Sequence, residues 1–132
     1  MKKNQAEIWQ KMSVVAWEVS NNAYTKSNTL VGACVLGING KMYAGCNIQQ
    51  ELRSHDIHAE TNAIGNMVSD GCEQIVKILV VADKELFTPC GSCMDWIVQF
   101  SSEKTLVGFQ GKTNREIQIF TTKELMPFYP KK

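Results

Sequence analysis

Two short motifs constrain this chain more than any other feature: His58-Ala59-Glu60 and, further along, Pro89-Cys90-Gly91-Ser92-Cys93. Each motif opens a predicted helix, so a fold that uses both must bring two helix N-termini to one point. The free N–H groups and positive dipole at such ends favour thiolates. One histidine and two cysteines leave a position for water on Zn²⁺, whereas a structural zinc site takes four protein ligands. Glu60 can move that water's proton, so the pattern predicts a hydrolytic zinc site.

Other interpretations fit each motif alone. Cys90 and Cys93 also match a redox dithiol or half of a structural zinc site. A single histidine such as His58 is more often a surface or packed residue. The joint occurrence in this order favours catalytic zinc. His55, three residues before His58, is a competing ligand that we assign to the preceding loop.

Composition bounds the class of protein. A length of 132 residues predicts one domain over 1–132. The content of 44% apolar and 20% charged residues is typical of a globular chain. A net charge of +1 argues against a broad nucleic-acid-binding face and favours a small-molecule substrate.

No apolar run reaches about 18 residues, and the first residues do not resemble a signal peptide. We therefore expect a cytoplasmic protein without a membrane partner. Cys34, Cys46 and Cys72 are expected to be reduced, mostly buried thiols.

Hydrophobic periodicity gives the order α-β-β-α-β-α-β-β-α, which predicts an α/β fold with five strands between helices. Trp96 is expected on the inner side of its helix. Asn39-Gly40 is expected to form a two-residue hairpin turn, and Thr122 is expected to cap the last turn. The predicted elements are helix Glu7–Asn22, strands Leu30–Ile38 and Lys41–Ile48, helix His58–Ser69 ended by Gly71, a central strand Gln74–Ala82, helix Cys90–Phe100, and strands Thr105–Phe109 and Arg115–Phe120.

From Val31 to Cys93 the chain resembles the cytidine deaminase family, small homotetrameric type. The residues that carry the resemblance are Val31-Gly32-Ala33, Gly45-Cys46-Asn47-Ile48, the two motifs above with Thr88, and more weakly Glu124-Leu125-Met126-Pro127-Phe128. The resemblance implies the three-layer α/β/α deaminase fold with a mixed sheet and a role in pyrimidine salvage.

The resemblance also implies residue roles. Zinc would be held by His58, Cys90 and Cys93, with Glu60 as general acid and base. Further implied roles are a ribose contact from Asn47, a pyrimidine pocket lined by the backbone around Ala59 and the Pro89-Cys90 turn, and a contact from Phe128 to the substrate of an adjacent subunit in a homotetramer.

Five positions depart from the family pattern, and one of them is Met94, which stands where a basic residue is common after the second cysteine. His58 stands where small members usually have cysteine, and Thr61 where they have arginine. The two differences explain each other, because one imidazole and two thiolates neutralise Zn²⁺, whereas three thiolates leave a negative charge for an arginine to offset. Thr29 replaces a phenylalanine beside the base. Gln49 replaces a glutamate that binds the ribose, and its neutral amide is expected to bond the same hydroxyl less strongly.

The implied reaction is zinc-dependent hydrolytic deamination of cytidine or deoxycytidine, with release of ammonia. The departures at Thr29 and Gln49 keep open an enzyme for a modified cytosine nucleoside such as blasticidin S, or for another amino-heterocycle. A nucleic-acid-editing deaminase would need a basic, aromatic-bearing channel, which the near-neutral charge disfavours. A non-catalytic zinc module would have no use for Glu60.

Overall fold

The computed structural model describes residues 3–113 and 115–129. The rest of the predicted domain range, residues 1, 2, 114 and 130–132, lies outside the described residues. The predicted order of elements is confirmed, with one added 3₁₀ turn, Arg53–His55. The elements are α1 (Lys3–Ser20), β1 (Val31–Gly37), β2 (Met42–Cys46), α2 (Ala59–Ser69), β3 (Ile75–Ala82), α3 (Gly91–Gln99), β4 (Ser101–Gln110), β5 (Gln118–Thr121) and α4 (Thr122–Leu125).

The five strands form one mixed sheet in the order β2-β1-β3-β4-β5. β3 and β4 are parallel, and the other neighbouring pairs are antiparallel. β3 occupies the centre, as its apolar run predicted. Successive side chains of a strand point to opposite faces, so Ile78 and Val80 enter one core cluster while Leu79 and Val81 enter the other.

Helices cover both faces of the sheet, which confirms the three-layer prediction. Trp9, Met12 and Ala16 of α1 pack on one face. The other face carries α2 and α3, through residues such as Ile64 and Ile97. α2 and α3 are in contact. The donor atoms of His58, Cys90 and Cys93 at their starts lie within 4.8 Å of one another, so the two N-termini meet where the two motifs lie.

The hairpin turn between β1 and β2 is wider than predicted. Gly40 N–H donates to Gly37 C=O over 2.9 Å, and Gly40 has a positive φ of 84°. A turn followed by a left-handed glycine lengthens the loop beyond two residues. The side-chain oxygen of Asn39 also accepts the Lys41 N–H at 3.1 Å. The strands therefore begin pairing at Leu36 and Met42.

The expected inward position of Trp96 is wrong. Its residue is 43% exposed, whereas Cys93, Met94, Ile97 and Val98 are buried. At about 100° per residue these four define a stripe whose centre lies between Met94 and Ile97. Trp96 falls outside that stripe.

The cap of α4 lies one residue earlier than predicted. Thr121, not Thr122, accepts the Glu124 N–H, and the Glu124 carboxylate accepts the Thr121 N–H in return. This reciprocal pair satisfies two otherwise free N–H groups. Within residues 3–113 and 115–129, no helix combines the length and apolarity needed to cross a bilayer.

Gly45 of β2 lets α2 lie directly against the sheet. A Cβ built on Gly45 would lie 2.7 Å from the carbonyl oxygen of Ala59 and closer still to the Ala63 nitrogen. Both are backbone atoms of α2, the helix that begins next to His58. Any side chain here must therefore displace the helix that carries half of the metal-binding motif.

We predict that Gly45→Ala lowers the free energy of unfolding by about 1–3 kcal/mol, the usual cost of overpacking. The matched control is Gly65→Ala on α2, where a Cβ meets nothing within 4 Å. That change should stabilise the protein by about 0.5–1 kcal/mol through helix propensity. Urea unfolding of both variants measures the difference, and equal stabilities would contradict the close approach.

Candidate metal and catalytic site

The three predicted ligands come together at the start of two helices. His58 is the N-cap residue of α2, Cys90 is the N-cap residue of α3, and Cys93 lies in the first turn of α3. His58 Nδ1 lies 3.2 Å from Cys93 Sγ and 3.5 Å from Cys90 Sγ. All three donor atoms lie within 4.8 Å of one another. Tetrahedral Zn²⁺ with ordinary Zn–N and Zn–S lengths separates N and S by about 3.5 Å, so this donor set fits zinc.

The competing ligand His55 does not join this cluster. It lies in the 3₁₀ turn before α2 and is exposed, as the loop assignment expected. In the part of the chain that the structure describes, the cluster contains one histidine and two cysteines. A tetrahedral ion held there retains one position for water, as in hydrolytic zinc sites.

Burial governs the titration of the groups around the cluster. Glu60 is only 3% exposed, and burial raises the pKa of its carboxyl above the ordinary value. Burial, reinforced by the negative charges of Glu60 and Cys90, also raises the pKa of the Cys93 thiol. Without metal, burial therefore shifts both Glu60 and Cys93 towards their protonated forms. Binding of a dication releases protons from such a site and stabilises the resulting thiolates.

A cavity of about 250 Å³ opens beside the cluster. This volume is below the roughly 300–1,000 Å³ of drug-sized ligand sites, which suits a small substrate. Cys93 is fully buried and is not among the lining residues. Phe128 is outside the cavity and 94% exposed. The lining contains the predicted residues Asn47, Gln49, His58, Ala59, Glu60 and Cys90, together with Thr29, Val31, Arg53, Asp56, Ile57, Phe87 and Thr88.

Both predicted sugar contacts also hold the protein's own backbone. Asn47 accepts the Val31 N–H at 2.9 Å and donates to the Thr29 carbonyl at 2.8 Å. Gln49 Oε1 accepts three hydrogen bonds, from the Thr25 hydroxyl and from the N–H groups of residues 26 and 27. These amides therefore fix the loop that forms one wall of the cavity.

Sequence reasoning missed several residues of the cavity, among them Arg53, Asp56 and Phe87. Arg53 Nε donates to Asp56 over 2.6 Å, and a hydrogen bond from the Gln50 N–H is the main cause that lowers the Asp56 pKa. This pair braces the loop before α2. Phe87 precedes the cysteine motif by only a few positions. An aromatic residue so close in sequence to the metal ligands was the signal from which a place in the cavity lining could have been predicted.

A larger groove of about 470 Å³ lies on the other side of His58, between α2 and α3. Its lining includes Ser92 and the exposed Trp96, but neither Glu60 nor a cysteine. The groove therefore lacks the groups that move protons or complete the ligand set. The smaller cavity is the candidate active site.

We predict that Glu60→Gln stabilises the metal-free protein at neutral and alkaline pH. The folded-state pKa of Glu60 is raised, so its favourable contribution is present below the unfolded pKa of about 4.3 and is lost as pH rises. Above that range the parent must bury a charge that the amide lacks. Melting temperatures in chelator across the pH range measure this. The gain should shrink towards acid pH and be absent in Glu73→Gln, an exposed control; a pH-independent difference would contradict the assignment.

Comparison with known proteins agrees with this geometry. A family model described as the cytidine and deoxycytidylate deaminase zinc-binding region matches residues 6–109. The cytidine deaminase of Mycoplasma pneumoniae is 33% identical over 112 residues, covering 83% of this chain and 84% of the relative. That of Sporosarcina psychrophila is 35% identical over 98 residues, covering 74% and 71%.

Solved structures share the fold. A cytidine deaminase from Burkholderia pseudomallei superposes with a TM-score of 0.81 at 21% identity, covering 97% of this chain and 98% of that one. The cytidine deaminase from Mycobacterium tuberculosis gives 0.79 at 20% identity, covering 91% and 94%. With its zinc-ligand cluster, its mixed sheet and this match over most of its length, the chain belongs to the cytidine and deoxycytidylate deaminase family.

Proposed function

We propose that this chain catalyses the zinc-dependent hydrolytic deamination of cytidine or deoxycytidine to the corresponding uridine, with release of ammonia. One observation carries the proposal: Glu60 is a buried carboxyl that faces a small cavity beside a three-ligand metal cluster. The named activities of the similar proteins support the choice of substrate. The blasticidin S and other amino-heterocycle alternatives gain no support from these relatives.

The chain's own residues would manage the protons of this reaction. Zinc, when bound by His58, Cys90 and Cys93, supplies a Lewis acid that lowers the pKa of water towards about 7. Glu60 accepts a proton from the attacking water and delivers it to the ring nitrogen. A new C–O bond forms at the carbon that bears the amino group. Glu60 then takes the second proton from the new hydroxyl group, whose oxygen becomes the carbonyl oxygen of the product. It passes this proton to the amino group as the C–N bond breaks and ammonia leaves, so the carboxylate is regenerated.

The raised pKa of Glu60 suits this work. A proton carrier is most effective when its pKa lies near the working pH, because it must both accept and release a proton. Burial moves the Glu60 pKa upward from the ordinary glutamate value. The same burial excludes bulk water that would compete for the proton.

We assign Asn47 and Gln49 to the sugar side of the cavity and Ala59 to the base side. Each amide nitrogen carries two hydrogens. Asn47 uses one of them on Thr29, and Gln49 uses one on Ser27, which leaves each able to donate to a hydroxyl. Ala59 is 1% exposed and lies beside Glu60, where its backbone can meet the base edge.

We predict that Glu60→Gln retains zinc but loses about 10²–10⁴-fold in kcat on cytidine, because the amide keeps the shape and cannot accept a proton. Metal analysis and steady-state kinetics measure the two properties. The parent should first be screened for ammonia release from cytidine, deoxycytidine, cytosine, blasticidin S and guanine. Near-parental turnover by the variant would remove Glu60 from the mechanism. Parent activity confined to a compound without a cytosine nucleoside would overturn the proposed substrate.

We further propose that one domain over 1–132 acts as a homotetramer in the cytoplasm, in pyrimidine salvage. Phe128 and Trp96 support assembly, since large apolar side chains this exposed commonly mark contact surfaces. The five cysteines are free thiols, which suits a reducing compartment. Phe128 lies outside its own cavity, so its implied substrate contact requires a neighbouring subunit.

We predict that Phe128→Ala loses activity and that coexpression with Glu60→Gln restores part of it. In a mixed oligomer, some sites would combine an intact Glu60 with an intact Phe128 from the neighbouring copy. Activity of the purified mixed species is compared with the sum of the two variants. Simple addition of their activities would show that Phe128 serves no neighbouring site.

A further inference from the structure

The cavity beside the metal cluster is lined by residues of two chemical kinds. Thr29, Asn47 and Gln49 supply polar groups. Val31, Ala59 and Phe87 supply apolar surface. Among the described residues that line the cavity, Phe87 is the only one with a benzene ring. A pyrimidine is polar at its edges and apolar on its faces, so it is bound best where a flat apolar surface meets one face.

The ring of Phe87 is held in place from behind. It is half-buried and packs against Phe109, which is 2% exposed. The ring centroids are 6.1 Å apart, and the planes are inclined by 33°. Phe109 lies in β4, so the sheet itself supports the contact. Phe87 also packs against the core cluster beneath α2 and α3.

The chain ties this ring closely to the reacting centre. Phe87 lies in the loop between β3 and α3, shortly before the N-cap ligand Cys90. Thr88 and Pro89 lie between Phe87 and Cys90, and the buried Pro89 restricts the backbone there. The segment that positions Cys90 therefore also positions the ring, and a base resting on the ring lies next to the metal cluster.

We propose that Phe87 is the residue that stacks on the pyrimidine base and so determines specificity for a planar aromatic heterocycle. This inference rests on the proposed function. Thr29 also lines the cavity but has no ring on which a base could stack. Stacking on a base binds the ground state and the transition state alike, so its loss acts on KM more than on kcat.

The test compares Phe87→Leu with Phe87→Tyr. Leucine keeps apolar bulk but has no flat ring, and we expect it to raise KM for cytidine about tenfold with kcat within about twofold of the parent. Tyrosine keeps the ring and should retain a KM near that of the parent. The matched control is Phe100→Leu, because Phe100 packs against the same core cluster but does not line the cavity. That variant should lose stability without a change in KM.

Zinc content and melting temperature are measured for each variant, so that a folding defect is recognised. If Phe87→Leu does not fold, Phe87→Met takes its place with the same expected rise in KM, since methionine adapts to irregular core gaps. A parental KM in the ringless variant, or the same KM change in Phe100→Leu, overturns the inference and leaves the proposed function standing. A parent enzyme that deaminates no pyrimidine nucleoside overturns both.

Discussion

The meeting of two helix N-termini at one end of the sheet is the constraint on which the rest of this structure depends. It requires α2 to lie against β2 without a side chain between them, which Gly45 permits. It also requires β3 and β4 to be parallel, since the connection through α3 brings the chain back over the same face. Both helices then present ligands from their N-cap positions, where free backbone N–H groups favour the negative charge of thiolates.

Without metal, the same arrangement makes ionisation of the site unfavourable. Burial raises the pKa of both Glu60 and Cys93, so the folded protein resists the charged forms that the chemistry requires. A dication offsets this by stabilising the thiolates, and a neutral imidazole from His58 then leaves the cluster without net charge. A neutral cluster needs no compensating cation at position 61. The Thr61 hydroxyl donates instead to the His58 carbonyl.

The sequence predicted the features that depend on local pattern. Strand β3, the starts of α2 and α3, and the ligand cluster follow from apolar periodicity and from motifs whose chemistry allows few alternatives. The start of α1 was not predicted, since the helix begins at Lys3 and not at Glu7. The errors arose where tertiary context decides. Trp96 is three residues from Cys93, yet the buried stripe of α3 is centred on the other side. The wider hairpin turn has instead a local cause, the left-handed conformation of Gly40, with the Asn39 side chain accepting the Lys41 N–H. Phe87 was missed because its position in the cavity depends on support from Phe109, far away in the chain.

Two of the loops that line the cavity are held by different contacts from those that hold the metal ligands. The ligands and Glu60 lie at the starts of two helices that pack on the sheet. The loop before β1 is held instead by the amides of Asn47 and Gln49, and the loop before α3 by the contact between Phe87 and Phe109. Neither support requires a particular residue at Thr29. The aromatic surface that we propose for the base is therefore supplied by a different loop from the one that carries Thr29. Gln49 combines its proposed sugar contact with three hydrogen bonds that hold the Thr29 loop.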